Sequence, residues 1–594
     1  MKRPILCVSF VTFIFVFVPQ LLAQGPTNPD PASSTDVELL WGVRIPLRDG
    51  VSLNATVYKP KPMGDALPVI FTLTPYVGDT YHDRAMYFAR HGYVFALVDA
   101  RGRGNSEGHF TPFQNEGKDG YDVVEWLARQ TWCNGKVAMW GGSYAGFNQW
   151  STLKELPPHL ATIVPVAPVG IAVEAPFFQG IADPYEEQWA VFTGGKTSND
   201  RIFNDSAFWI SKYREMYLNH IPFHDFGKLV GHPSEWFQIC LEHPKPDDYW
   251  RAMVPNTEQY RKISIPILTI TGDYDGDQTG ALHYYGMHMK YGSPEAKDKH
   301  YLIIGPWDHA GTRTPKREFG GLKFGDASML DLNQLHREWY DWTLKGAAKP
   351  GFLKDRVAYY VAAADLWKYA PNLESIDSAR EHFYLGSTGL ATDAFHSGTL
   401  SESAPPASRT DAYVYDPLDI RPAEREVENI EDWITDQRFA LSLYGSGLVY
   451  HSEPFLKDTE ITGTPRLTAW ISMDVPDTDF QVTLYEIRAD GSSILLSSDS
   501  LRARYRESLE REVLVQPGAI VRYQFNSFNF FSRRIAKGSR LRLVLSASNS
   551  IYKQKNYDSG GVVADETAKD ARTAHVSVYH DPEHPTVLEL PSGR

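Results

Sequence analysis

Six residues, Gly141-Gly142-Ser143-Tyr144-Ala145-Gly146, follow directly on the apolar run Val137-Ala138-Met139-Trp140. A buried strand that ends in small residues around one serine, then starts a helix, is the sequence form of a nucleophile elbow. The sharp turn lifts the serine hydroxyl above the sheet edge and points the first N–H groups of the helix at the reacting oxygen. Small neighbours are required because strand and helix backbones pass too close for a Cβ. The usual spacing is G-x-S-x-G; here Ala145 takes the place of the second glycine and Gly146 follows one position later. A serine in a glycine-rich turn is by itself ordinary turn chemistry, so the reading depends on a base and an acid lying downstream.

The surrounding pattern supplies the scaffold. Short continuous apolar runs at 69–73, 94–98, 137–140 and 163–166, then 265–270 and 301–304, are separated by helix-like stretches. Such runs predict a parallel sheet covered on both faces, an α/β layered fold. A hairpin precedes it, 39–46 and 51–58 around Arg48-Asp49-Gly50. Residues 172–257 have another texture, with Phe177, Phe178, Trp189, Phe192, Phe203, Trp209, Tyr213 and Trp236 among polar residues and no strand-like run. They read as a mostly helical cap inserted into the sheet domain, its aromatics packing the cap itself. Beyond an amphipathic stretch at 330–344 the chain alternates apolar and polar residues, as at 466–472, 480–485 and 541–546, with turns at Asp490-Gly491 and Pro517-Gly518. That is the pattern of an antiparallel sandwich. The expected division is an α/β-hydrolase domain at 37–171 and 258–350, a cap at 172–257 and a C-terminal β-sandwich, jelly-roll-like and galactose-binding-like, at 351–594.

The first residues read as a secretory signal: Lys2 and Arg3, an apolar stretch at 5–18, and Leu21-Leu22-Ala23 as a cleavage site. The apolar stretch is short against the roughly 20 residues a membrane span needs, which predicts export with cleavage near Ala23 rather than an anchor. Residues 24–36 are rich in Pro, Asn and Ser and read as a flexible leader. Cys7 leaves with the signal, and Cys133 and Cys240 cannot form a disulfide framework; the sequence does not say whether they pair. A formal net charge of −14 argues against nucleic acid or an anionic membrane surface as partner. The oligomeric state is open, a homo-oligomer included.

An α/β-hydrolase places its acid after a later strand and its histidine after a further one, in the order Ser, Asp, His. Both slots are filled. The run 267–271 leads into Gly272-Asp273-Tyr274-Asp275-Gly276-Asp277, and 301–304 leads into Gly305-Pro306-Trp307-Asp308-His309. His309 would take the Ser143 proton as general base, with a carboxylate steadying its imidazolium. Three aspartates of the first loop compete for that role, and pattern does not choose between them.

These motifs resemble those of the X-prolyl dipeptidyl-peptidase and cocaine-esterase family, which includes α-amino-acid ester hydrolases and glutaryl-cephalosporin acylases. The resemblance rests on Ser143 in GGSYAG, Asp275 in GDYDG and His309 in GPWDH, the family elbow having the form G-x-S-Y-x-G. It extends through Thr74-Pro75-Tyr76, the stretch 99–108 (DARGRGNSEG) and Asp248-Tyr249-Trp250. In the C-terminal half it takes in Ser452-Glu453-Pro454, Asp477-Thr478-Asp479-Phe480, 501–505 (LRARY) and 581–585 (DPEHP). It implies Ser143 as nucleophile, His309 as base and Asp275 as acid, with the Tyr76 hydroxyl and the Tyr144 N–H as oxyanion hole. The family's amino-acid ester hydrolases hold a substrate ammonium with carboxylates, two of them just past the catalytic acid. Here Asp277 stands at the first of those places and Gln278 at the second, and Glu174 could supply a third.

The expectation is therefore an exported serine hydrolase that cleaves small acyl esters or amides through an acyl-enzyme, without metal or organic cofactor. His575, His580 and His584 match no zinc spacing, and the glycines after Asp99 are followed by no lysine and make no phosphate loop. True X-prolyl dipeptidyl-peptidases of this family carry a large extra N-terminal domain, where this sequence has only a short leader, which favours an esterase or acylase over the peptidase alternative. A non-catalytic carbohydrate- or surface-binding protein on a hydrolase scaffold is the other alternative; filled triad slots count against it.

Overall fold

The computed structural model describes residues 36–592 except 405–407, 429–430 and 442–444. The expected signal segment at 1–23, and the leader up to residue 35, lie outside the described residues.

Ten strands form one sheet. They are β1 (Asp36–Pro46), β2 (Ser52–Lys61), β3 (Leu67–Thr74), β4 (Val94–Asp99), β5 (Cys133–Ser143), β6 (Leu160–Pro168), β7 (Ile267–Tyr274), β8 (His300–Asp308), β9 (Val357–Val361) and β10 (Leu366–Ala370). Their order across the sheet is β1-β2-β4-β3-β5-β6-β7-β8-β9-β10. From β4 to β9 every neighbouring pair is parallel, while β1, β2 and β10 close the edges antiparallel. The central strands are apolar along their length, as in β4, where all six residues are buried, because helices cover both faces. Helix Tyr144–Leu153, buried throughout, and helix Glu116–Ala128 pack on one face; helix Leu332–Lys345 packs on the other, its Trp339 and Tyr340 in contact with β6 and β5.

The interval between β6 and β7 is helical, with helices Tyr185–Phe192, Ser206–Leu218 and Glu235–Glu242 the longest and one two-residue strand pair, Phe177–Phe178 with Ile181–Ala182. Trp209, Tyr213, Phe226, Trp236 and Trp250 form its core. The C-terminal strands make an eleven-stranded, mainly antiparallel sheet around a core of Leu467, Ile471, Phe480, Leu543 and Val576, a β-sandwich.

The boundary expected at residue 351 is displaced. β9 and β10 belong to the hydrolase sheet, β9 pairing in parallel with β8 through Leu302 and Val357. All five residues of β9 are buried, as a strand covered on both faces requires. The sandwich strand Arg466–Met473 instead alternates between exposed or half-buried and buried positions. The sandwich begins with Arg380–Gly386. Cys133 and Cys240 are buried free thiols, one on β5 and one in the cap.

Candidate active site

Every residue expected at the site follows the carboxyl end of a parallel strand: Tyr76 after β3, Ser143 at the end of β5, Glu174 after β6, Asp275 and Asp277 after β7, His309 after β8. These five strands are consecutive neighbours in the sheet, so their loops converge along one edge, where open α/β sheets place ligands.

Ser143 has φ 61° and ψ −125°, a strained backbone for a residue with a side chain. The elbow is compressed as its glycines imply. A Cβ on Gly141 would lie 2.6 Å from the Ala145 Cβ, and one on Gly146 would lie 2.9 Å from the Pro168 Cα of β6. The displaced glycine is therefore the one that meets the neighbouring strand. Burial pushes the Tyr76 phenol up to about 12, with Trp189 and the Ser143 side chain acting against it, and Tyr144 is the first residue of the helix that follows Ser143. The Tyr144 ring is pinned behind it. Its hydroxyl donates to Glu116 and accepts from the Phe113 N–H at 2.6 Å, and burial pushes the Glu116 carboxyl up to about 7.

The structure separates the three competing aspartates. Asp275 is buried and its Oδ1 meets His309 Nδ1 at 2.7 Å, while its Oδ2 accepts from Thr271 Oγ1 at 2.8 Å. Asp273 points away, accepting from the Ser532 backbone of the sandwich. Asp277 stands 3.7 Å from His309 Nδ1. Burial opposes charge on Asp275, yet His309 and the Thr271 hydroxyl hold its carboxyl below the usual range. Burial likewise opposes the His309 imidazolium, but the Asp277 and Asp275 carboxylates outweigh burial and Arg313, raising its pKa above the ordinary histidine value. A ring so held, Nδ1 committed to Asp275, leaves Nε2 for a proton transferred at the serine.

Glu174 and Asp277 come together. Burial first and the Asp277 charge second push Glu174 well above the carboxylate range, and burial, against the pull of His309 and with the Asp275 charge adding to it, leaves Asp277 at about 6. Glu174 Oε1 accepts from the Gly170 N–H at 2.5 Å, and its buried Oε2 has no hydrogen-bond partner. Gly170 and Gly280 cradle it: a Cβ on Gly280 would fall 2.3 Å from Oε1 and 2.3 Å from the Gly170 nitrogen. Gln278 takes no part. It is fully buried and faces the sandwich, donating to the Gly272 and Phe530 carbonyls at 2.9 Å each and accepting from the Phe530 N–H at 2.8 Å. A carboxylate there would lose both donated bonds.

Several residues at the site carry no motif. Arg313 fills the space that Gly142 leaves, Nη1 standing 2.5 Å from where a Cβ would be, and Thr271 lies inside an apolar strand. Glu186 of the cap, raised to about 7 by burial, accepts from Trp236. The three C-terminal histidines are engaged separately: His575 with Asp474 at 2.8 Å, buried His580 with Asp411 at 2.9 Å and His584 with Asp581 at 3.3 Å.

The profile of the X-Pro dipeptidyl-peptidase (S15 family) matches residues 49–311, and that of the X-Pro dipeptidyl-peptidase C-terminal non-catalytic domain matches 341–589. In sequence the chain is 29% identical over 575 residues to a cocaine esterase of Rhodococcus sp., covering 92% of this chain and 97% of that one. A putative serine esterase of Mycobacterium bovis is 23% identical over 601 residues, with 86% and 90% covered. In structure an aminopeptidase of a marine sediment archaeon, Thaumarchaeota archaeon, superposes with TM-score 0.81 at 21% identity over 96% of this chain and 98% of that one. An α-amino acid ester hydrolase superposes with TM-score 0.79 at 21% identity over 97% and 100%. Both share the whole arrangement of hydrolase sheet, cap and sandwich.

Proposed function

We propose, from the two X-Pro dipeptidyl-peptidase profiles that match residues 49–311 and 341–589 and from the likeness to a cocaine esterase, that the chain is a serine hydrolase of the S15 family that cleaves small acyl esters or amides through an acyl-enzyme on Ser143. His309 takes the serine proton as the hydroxyl attacks the acyl carbonyl, and Asp275 holds the ring and the charge it acquires. The Tyr76 hydroxyl and the Tyr144 N–H stabilise the oxyanion. His309 then passes its proton to the leaving alcohol or amine, and water, activated by the same ring, releases the acid. The observation that carries this reading is the 2.7 Å contact between buried Asp275 and His309 Nδ1, beside a serine on a strained elbow. Expression with export and cleavage near Ala23 is part of the proposal.

A second feature favours an acyl group with a free ammonium. The Asp277 charge opposes that of Glu174, and Glu174 Oε2 is buried without a partner; a cation between them would relieve both penalties. A matched panel tests both readings: p-nitrophenyl acetate and butyrate, phenylglycine methyl ester, a glutaryl amide and Gly-Pro-p-nitroanilide. Preference for the free-amine ester supports the ammonium role. Preference for the simple esters returns the chain to general esterase activity, and cleavage of the prolyl anilide favours the peptidase alternative. Silence on every member contradicts the hydrolase proposal.

A further inference from the structure

Tyr76 can serve an oxyanion only if its single hydroxyl proton points at the reacting centre, and the loop that carries it does not fix that proton. The backbone is well held. Buried Arg103 donates to the Pro75 carbonyl at 2.7 Å and, at 3.1 Å, to Thr197 of the cap, while Ser198 Oγ donates to the Tyr76 carbonyl at 2.9 Å. Among the described residues the hydroxyl makes one hydrogen bond, from the indole N–H of Trp189, 3.2 Å away. An indole N–H only donates. The phenol oxygen must therefore accept from Trp189, and its own proton is directed elsewhere, toward the Ser143 side chain, which with Trp189 acts against the effect of burial on the phenol.

Trp189 reaches the second donor too. It lies flat on the Tyr144 ring, centroids 5.5 Å apart and planes 14° off parallel, and stacks on Phe113, whose N–H holds the Tyr144 hydroxyl. It belongs to the cap helix Tyr185–Phe192, which also brings Phe192 against the Tyr76 ring at 5.3 Å. We infer that Trp189 is a positioning residue for the oxyanion hole, its indole N–H orienting the Tyr76 hydroxyl toward Ser143 and so tying that donor to the cap. The inference rests on the oxyanion role proposed for Tyr76.

The test replaces Trp189 in the full-length protein with 3-benzothienylalanine, which keeps the ring shape and exchanges the N–H for sulfur, alongside Trp189→Phe, Tyr76→Phe and the two doubles. Ester hydrolysis gives kcat and KM, and thermal unfolding reports the fold. The isostere should lower kcat about three- to tenfold, the worth of one ordinary hydrogen bond, with KM and the unfolding midpoint unchanged. In the Tyr76→Phe background the same replacement should cost nothing more, because no phenol remains to orient. An unchanged kcat in the isostere, or an equal loss in both backgrounds, overturns the inference while a slow Tyr76→Phe leaves the proposed mechanism standing. A Tyr76→Phe variant as fast as the parent, or a parent silent on esters, overturns both.

Discussion

Asp277 and Asp275 share the His309 ring, at 3.7 and 2.7 Å from Nδ1, and only one of them is needed to hold it. The second charge has a cost that pH should reveal. A general base must be neutral to accept a proton, and burial and Arg313 lower the His309 pKa less than the two carboxylates raise it. The acid limb of kcat/KM should therefore fall above pH 6.5, the ordinary histidine value. Removing one charge by Asp277→Asn should move that limb toward acid, visible in pH–rate profiles; an unmoved limb would detach Asp277 from the base. Tyr76→Phe should slow turnover on the order of 100-fold with KM little changed. Such assignments were only partly legible. The elbow and its two partner loops carry motifs, and the resemblance singled out Asp275, but pattern alone left three aspartates equivalent. What separates them is the direction each leaves the loop, toward His309 or toward Ser532, which depends on the sandwich lying behind. Trp189 and Arg313 carry no motif either, one being an aromatic among cap aromatics and the other a cation that fills a missing Cβ.

At the scale of elements, β3 to β8 declared themselves because a strand covered on both faces must be apolar throughout. The same rule applies to β9, since Val357-Ala358-Tyr359-Tyr360-Val361 is a continuous run; the strand-rich sequence that follows makes it read as part of the sandwich. The helix Gln278–Tyr291 is clamped at its start to the sandwich through Gln278 and Phe530. Gln278→Leu should strand the Phe530 N–H and destabilise the protein by about 2–3 kcal/mol, read by urea unfolding, with activity falling as the Asp275 loop loosens. A stable, fully active variant would show that the sandwich does not brace the acid loop. Gly280 lies on the same helix, where a Cβ would strike the Gly170 backbone at 2.3 Å. Gly280→Ala should displace Glu174, costing about 1–3 kcal/mol and erasing any preference for ammonium-bearing esters over neutral ones.

Over the whole molecule, folding buries several histidines in neutral form. His288 and His300 face each other through their Nδ1 atoms at 2.9 Å. Burial, with Lys297 nearby, lowers His288 to about 4, and burial holds His300 and His336 well below the ordinary value. At these histidines the unfolded chain binds more protons than the folded one, so their contribution to stability is full above pH 6.5 and is lost as pH falls toward the folded values, while the buried carboxylates Glu116, Glu174, Glu186 and Asp277, with raised pKa values, act with the opposite sign. At pH 5 the His288 share should be a loss of about 2 kcal/mol, read as the change between pH 7.5 and pH 5 in the urea-midpoint difference between the parent and His288→Asn; a difference that stays the same at both pH values would contradict neutral burial. Whether one serine among all those in the chain carries the acyl group is decided by treating the protein with a fluorophosphonate and mapping the adduct by mass spectrometry. A single adduct is expected on the peptide containing Ser143, with Ser143→Ala unlabelled, folded and inactive. Labelling of another residue, or ester hydrolysis that survives Ser143→Ala, would contradict it.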